Sequence, residues 1–555
     1  MSKKSTQQHF AGRSPALLII MDGWGMGSGG EEDAIAMART PVFDRLWGEY
    51  PHTSLMTHGP YVGLPSGKDL GGSEVGHLTM GAGMILDQGP TRINKAIENG
   101  SFFTSEALGE VMSRGVQGGC VHLLGLLSDG NIHSHIDHFR ALIEHAFKIG
   151  VHRLRVHALL DGRDVGIQSA HTYVAELEKV FALINTHEGF EYGFASGGGR
   201  ERIIMDRDHD WSKVEAGWQL MVHGQGEHRF PSMQAAIKHF REATPGIVDQ
   251  DIPGFVLVDG DDRPVGMIQD GDAVVMVNFR GDRAIEITEA FELDDFSGFD
   301  RGGVGGRGPN VLYAGMMVYD EDRNLPVLQL MGPTKVTNPL GRRLIDLGIR
   351  QFRLTETQKF PHVTFFFNGG YREPLDRSME DYILIPSDKG VSFADAPLMK
   401  AEEIADKAVE LIASGDYGFG LINFANADMV GHCGQMQPVI TAIEAVDAAV
   451  GRIVDALQAA GGSALITADH GNAEEMRVAI KGGDEPSTRH SLNPVPCILF
   501  DAAYDGSYTL RQPADGDNVQ TMPGLSHIAA TMLNMIGYPA PQGLQPSLIE
   551  PKGEH

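Results

Sequence analysis

Cysteine is scarce in this chain: Cys120, Cys433 and Cys497 are scattered over 555 residues and form no CxxC pair. So odd and sparse a count excludes a disulfide framework and suits a reducing compartment. Long apolar runs are also missing, and no stretch approaches the ~20 residues that would span a bilayer. The opening Met1-Ser-Lys-Lys-Ser-Thr-Gln-Gln-His-Phe is polar and lacks the apolar core of a secretory signal. The expected location is therefore the cytoplasm. Basic residues are in the minority, 45 Lys and Arg against 73 Asp and Glu, for a formal charge of −28. That balance argues against non-specific binding to nucleic acid or an anionic membrane, either of which needs a basic face. A small anion is not excluded, because a local cluster of arginines can reverse the field inside a cleft. The remaining composition, 42% hydrophobic and 21% charged, is that of a globular protein. The length exceeds what one hydrophobic core usually holds, so two domains are expected.

Short apolar runs alternate with helix-type patterns along the whole chain. The runs are Ala16-Leu-Leu-Ile-Ile-Met21, Val121 to Leu127, Leu154 to Leu160, Ala273 to Asn278, Gly420 to Phe424 and Ser463 to Ile466. Buried strands separated by helices predict an α/β fold with mostly parallel sheets covered on both faces. Polar residues follow these runs, and the carboxyl ends of strands are where open α/β sheets bind ligands. Gly25-Met-Gly-Ser-Gly-Gly30 matches GxGxxG, but Asp22-Gly-Trp separates it from the strand, so it does not predict a nucleotide site. Phe299-Asp-Arg-Gly-Gly-Val-Gly-Gly-Arg-Gly308 reads as a glycine-rich surface loop.

Candidate metal ligands sit near both ends of the chain. Asp22 ends the first strand, and Asp469-His470 follows the apolar run ending at Ile466. Asp428 and His432 are i and i+4, so on a helix they share a face. His490 lies in Thr-Arg-His-Ser-Leu-Asn-Pro, and Ser73 lies in the glycine-rich turn Gly71-Gly-Ser-Glu-Val-Gly-His77. Singly, each has a plain structural explanation: a helix N-cap for Ser73, a surface pair for Asp428 and His432, a loop histidine for His490. Together they suggest two divalent ions beside a serine. Mixed Asp and His ligation suits Mn or Zn better than Ca. Such ions would make the Ser73 hydroxyl a nucleophile for phosphoryl transfer.

The central third carries a different set: His133, Arg163, Asp164, Arg200, Arg207, Arg280 and Arg283, with Lys359 just beyond. Arginine binds phosphate and carboxylate oxygens through a planar fork, so arginines after strand ends suggest an anionic ligand. The alternative is that they pair with neighbouring aspartates. Asp164, beside Arg163, could keep its charge and accept a proton from a bound hydroxyl.

From about Ala16 to Pro496 the chain resembles the cofactor-independent phosphoglycerate mutases of the alkaline phosphatase superfamily. The motifs that carry the resemblance include Met-Asp-Gly-Trp-Gly, Gly-Ser-Glu-Val-Gly-His, Ser-Asp-Gly-Asn-Ile-His-Ser-His, Leu-Asp-Gly-Arg-Asp, Asn-Phe-Arg-Gly-Asp-Arg, Asp-Met-Val-Gly-His and Ala-Asp-His-Gly-Asn-Ala-Glu. The resemblance implies an alkaline-phosphatase-like three-layer domain, residues 1–87 and 334–555, interrupted by a substrate-binding α/β domain, residues 88–333. It implies that Asp428, His432 and His490 hold one ion, and that Asp22, Ser73, Asp469 and His470 surround the other. Manganese is the expected metal, with magnesium, cobalt or zinc as alternatives, and no bisphosphoglycerate is required. Ser73 would be the nucleophile. His133, Arg163, Asp164, Arg200, Arg207, Arg280, Arg283 and Lys359 would contact the phosphoglycerate. Two departures stand out. Gly72 replaces the family's Asn before the serine, and Arg202 competes with Arg200 as the equivalent arginine. The implied reaction interconverts 3-phosphoglycerate and 2-phosphoglycerate through a phosphoserine, in a monomer that binds neither nucleic acid nor membrane. A metal-dependent phosphatase or sulfatase is the alternative, disfavoured by the arginine motifs. Phosphopentomutase is disfavoured on the same ground, and a non-catalytic metal protein by the intact serine.

Overall fold

The computed structural model describes residues 9–552 apart from 207, 304–305, 321–322, 333–335 and 481–482, and only the backbone of 479–480 and 483–485. Two compact units emerge, residues 1–88 with 334–555 and residues 89–333. In chain order, the first segment contributes β1 (Ala16–Met21) and β2 (His52–Leu55). The second unit contains β3 (Val121–Leu126), β4 (Arg153–Leu160), β5 (Glu191–Gly199), β6 (His228–Phe230), β7 (Phe255–Leu257), β8 (Ala273–Met276) and β9 (Leu312–Gly315). The returning segment adds β10 (Gln351–Glu356), β11 (Glu380–Ile385), β12 (Phe419–Phe424), β13 (Ser463–Thr467) and β14 (Val495–Asp501). Helices used below are α1 (Ser73–Ala82), α2 (Trp211–Met221), α3 (Ile285–Glu292) and α4 (Asn426–Gly431).

Each unit is built on one seven-stranded sheet. The first runs β11-β10-β12-β1-β13-β14-β2, parallel as far as β13 and antiparallel over its last two pairings. The second runs β6-β7-β5-β4-β3-β8-β9 and is parallel except where β5 meets β7. Apolar strands form here because both sheet faces are covered, so alternate side chains enter different cores. In β3, Val121 and Leu123 join one buried cluster while Leu124 and Leu126 join another. β1 is buried along its whole length, Leu17 through Ile20 being 0% exposed. Truncating Leu18 to Ala would cost about 2–5 kcal/mol.

This arrangement places strand ends together. β1, β12 and β13 are parallel neighbours in register from Ala16, Phe419 and Ser463. The segments leaving them therefore emerge side by side, and these carry Asp22, Asp428 and Asp469-His470. In the second unit, β3, β4, β5 and β8 likewise deliver the loops bearing His133, Arg163-Asp164, Arg200 and Arg280.

Candidate active site

Asp22 follows directly on β1, and a tight turn aims it. Gly23 has φ +79°, and a Cβ there would lie 2.6 Å from the Asp428 amide nitrogen. Only glycine allows so close an approach. The turn brings the Asp428 amide onto the Asp22 carbonyl at 3.0 Å. Asp428 lies on α4 and His432 caps its end, so the i,i+4 pair meets at 3.1 Å, Asp428 Oδ1 to His432 Nε2. β13 stops at Thr467, which frees Asp469 and His470 from strict alternation so that both enter one site. Ser73 is the first residue of the ten-residue helix α1, where unpaired amides favour negative charge.

The serine hydroxyl is surrounded. Its Oγ lies 2.6 Å from Lys359 Nζ, 2.9 Å from His470 Nε2 and 3.2 Å from Asp22 Oδ1. Lys359 Nζ also donates to Asp22 Oδ1 and Asp428 Oδ2, both at 2.7 Å. Lys359 thus sits among the acidic residues of the first unit. Burial opposes its charge, but Asp22 and Asp428 hold it well above the ordinary lysine range. Burial would raise Asp22, yet Lys359, His470 and His77 together bring the carboxyl down to about 2.

The donor set fits divalent cations. His432 Nδ1 donates to the Thr488 carbonyl at 2.8 Å and His490 Nδ1 to the Gly71 carbonyl at 2.7 Å. In the neutral imidazoles those protons leave both Nε2 atoms as lone-pair donors, and they face one another at 3.3 Å beside Asp428 Oδ1, whose hydrogen bond raises His432 above the ordinary imidazole range. Converging lone pairs and a carboxylate need a cation between them. Asp469 Oδ2 is buried and accepts no hydrogen bond. Burial, with Asp22 beside it, pushes its carboxyl well above the usual range, although Lys359 acts to lower it. Burial and His490 lower His470 to about 3, so its imidazole is neutral and ready to ligate. Asp428, His432 and His490 form one group able to hold an ion, and Asp22 shares others with Asp428 and His470 and with His77 and Asp469.

Three positioning residues carry no role in the sequence reading. Asn423 Nδ2 donates to Asp22 Oδ2 at 2.8 Å and lies 3.1 Å from His77 Nε2. His77 Nδ1 in turn donates to the Ser73 carbonyl at 2.8 Å and lies 3.4 Å from Asp469 Oδ2. Asn472 Nδ2 donates to Asp428 Oδ1 at 3.0 Å. A lone asparagine inside the apolar run Gly420 to Phe424 is the signal that finds Asn423, since a buried amide must have partners. The spacing of four between Ser73 and His77 is the signal for His77. Glu474 explains the GxGxxG look-alike: it accepts from the Gly25 amide at 3.0 Å, and no phosphate cradle forms.

The second unit gathers the arginine set more loosely. Arg200 is buried and its Nη1 donates to Asp161 Oδ1 at 3.0 Å and Asp164 Oδ2 at 2.5 Å. Arg202 is exposed and donates to the Asp251 carbonyl at 3.2 Å. Arg163 pairs with Glu201 at 3.2 Å, and Arg280 with Asp282 at 3.2 Å. Arg283 Nη1 donates to the Met205 carbonyl at 3.0 Å. That carbonyl is aimed by Ile204, a buried β-branched residue at φ +66°. Such a conformation costs of order 1–3 kcal/mol and is found at functional sites. His133 is 4% exposed, its Nδ1 lies 3.5 Å from Asp282 Oδ1, and burial with Arg200, Arg280 and Arg283 lowers it to about 2. Arg207 lies outside the described residues.

Comparisons with known proteins identify the family. A family model described as the Metalloenzyme superfamily matches residues 14–540. A 2,3-bisphosphoglycerate-independent phosphoglycerate mutase of Trypanosoma brucei brucei is 42% identical over 550 residues, covering 97% of this chain and 98% of that protein. The enzyme of the same name from Zea mays is 39% identical over 551 residues, covering 97% and 96%. A crystal structure of Leishmania mexicana phosphoglycerate mutase at low cobalt concentration is 41% identical with a TM-score of 0.73, covering 98% of each chain. With a serine, acid and imidazole constellation that calls for divalent cations, the chain belongs to the Metalloenzyme superfamily and, within it, to the 2,3-bisphosphoglycerate-independent phosphoglycerate mutases.

Proposed function

We propose that this isomerase interconverts 3-phosphoglycerate and 2-phosphoglycerate through a phosphoserine on Ser73, with two divalent ions and no bisphosphoglycerate. The observation that carries the reading is the Ser73 hydroxyl, held at a helix N-terminus between Lys359, His470 and Asp22. Asp428, His432 and His490 would hold one ion, and Asp22, Ser73, Asp469 and His470 the other. Manganese is the proposed metal, and zinc, cobalt or magnesium are the alternatives that Asp and His ligands tolerate. When bound, the ions supply Lewis acidity, lowering the serine pKa and neutralising phosphoryl charge.

Ser73 Oγ, as its alkoxide, attacks the phosphorus of 3-phosphoglycerate, the bond to the substrate's O3 breaks, O3 takes up a proton from solvent, and a phosphoserine forms. Lys359 Nζ already touches the attacking oxygen, so its charge is in place for the transferring group without reorganisation. The arginines of the second unit hold the freed glycerate. Its O2 hydroxyl then attacks the phosphoserine, Asp164 accepts the proton, and Ser73 is released. Arg200 Nη1 donates to Asp164 Oδ2 at 2.5 Å and orients the carboxylate for that task. Retention of the glycerate makes the return step effectively unimolecular and lets it outrun water. In this reading, residues 1–87 with 334–555 form the metal-binding domain, residues 88–333 form the substrate-binding domain, and the chain acts as a monomer. Incubating manganese-loaded protein with 3-phosphoglycerate alone and following both 2-phosphoglycerate and free phosphate tests it. Isomer formation without bisphosphoglycerate is expected; release of phosphate as the main product would instead make it a phosphatase.

A further inference from the structure

The glycine-rich loop after α3 has no part in the reaction above, yet it lines a cavity of about 500 Å³ in the second unit. The wall includes Val222 and His223 after α2, Gln269 and Asp270 before β8, and Arg301, Arg307 and Pro309 of the loop. Asn278 and Arg280 follow the other end of β8, so the cavity lies at the amino end of that strand and the arginine set at its carboxyl end. Its size falls within the range of small-molecule sites.

Arg301 is the informative residue. It is 5% exposed, and among the described residues no carboxylate lies within ion-pair reach of it. Its Nη1 donates to the carbonyls of Ala290 and Leu293 at the end of α3, at 3.0 and 2.9 Å, and its Nε to Gly306 at 3.3 Å. These bonds fix the guanidinium at the carboxyl end of α3, where the helix carbonyls favour a cation, and leave it without a carboxylate in direct contact. Arg307 adds a second guanidinium, paired with Asp294 at 3.6 Å across two exposed side chains, a weak pair that a stronger anion would displace. Asp270 is the one acid in the wall, and its Oδ1 is taken up by the Asn310 amide at 2.7 Å. The glycines are needed to bring the loop in: Gly302 is at φ +70°, and a Cβ there would lie 2.7 Å from His223 Cε1. The loop is pinned from below, where Trp218 Nε1 and His223 Nε2 both donate to the Arg301 carbonyl, at 3.0 and 3.1 Å.

We propose that this cavity binds a small phosphorylated metabolite, its phosphate on the Arg301 and Arg307 guanidinium groups and its body against Val222 and Pro309. A planar guanidinium fork matches phosphate oxygens, and the volume exceeds what a bare phosphate fills.

Trp218 is a local reporter. The metal-loaded full chain, labelled with 15N at tryptophan, gives one indole N–H signal for each of its 4 tryptophans, and Trp218→Phe identifies the relevant one. Titration with inorganic phosphate or glycerol phosphate is expected to shift that signal saturably, glycerol phosphate binding the tighter. Arg307→Glu should weaken the response about tenfold or more while leaving isomerisation unchanged, and Arg301→Lys, which keeps the charge but not the fork, should weaken it as well. Arg280→Met with Arg283→Met should leave the shift intact. The proposal is overturned if Trp218 does not respond, if acetate binds as well as phosphate, or if the response follows Arg280 and Arg283 rather than Arg307.

Discussion

Both units bury polar clusters, but the two clusters differ in kind. In the first unit the buried groups are Asp22, Asp428, Asp469 and Lys359 around Ser73 and His470. In the second, beside the paired Arg200, Asp161 and Asp164, one cluster is made of imidazoles: His122 Nδ1 meets His157 Nε2 at 3.0 Å, Asp272 holds His122 at 3.2 Å, and His157 reaches Ser196 at 2.8 Å. Burial keeps His122 and His157 below the ordinary imidazole range, hence neutral. A buried neutral imidazole needs only hydrogen-bond partners, whereas clustered buried carboxylates need positive charge. The first cluster therefore implies a cation and chemistry, and the second is satisfied as structure.

The sharpest break of that contrast is chemical. Ser73→Ala should lower isomerisation by ~10,000-fold or more without loss of fold, measured with 3-phosphoglycerate as sole substrate. A chelator should abolish activity of the unaltered chain, and manganese should restore it. Next comes Lys359→Met, which leaves Asp22 and Asp428 without their internal counter-charge. The metal-free variant should lose about 3–5 kcal/mol in urea unfolding, and the metal-loaded variant less, because ions replace the ammonium. An equal loss in both would mean that the cluster does not hold cations.

The second unit should instead respond to acid. His138 donates to Asn94 Oδ1 at 2.7 Å, and burial lowers it to about 3. An unfolded imidazole titrates near 6.5, so the unfolded chain takes up the proton first. The contribution of His138 is full above about pH 6.5 and is lost as pH falls toward 3, about 2 kcal/mol of it by pH 5. Hydrogen exchange of second-unit amides should report the loss, and His138→Gln should flatten it. The smallest stability effect belongs to Arg280→Ala, whose side chain is 53% exposed. Stability should stay within about 0.5 kcal/mol while KM for phosphoglycerate rises roughly tenfold.

Much of this was legible in residues alone. The six-residue run Ala16–Met21 is β1 as read, and the i,i+4 pair Asp428 and His432 lies along one helical turn. β10, β11 and β14 are harder to read. β10 holds Arg353 fully buried, paired with Glu380 at 2.9 Å and lying between Phe367 and Phe419. A charged residue in a central strand breaks the apolar pattern, and only its distant partner explains it. Lys359 shows the same limit. Its sequence neighbours suggest the arginine group, but its charge is satisfied by Asp22 and Asp428, far away along the chain.

The sequence by itself determined that the apolar runs at Ala16, Val121, Leu154, Ala273, Gly420 and Ser463 are strands and which ligand-type side chains follow them, because periodicity and glycine turns are local properties. Tertiary structure alone decided which of those ends are neighbours and which partner each buried charge takes. Strand order in a parallel sheet and the pairing of buried charges depend on long-range packing, which no local pattern encodes.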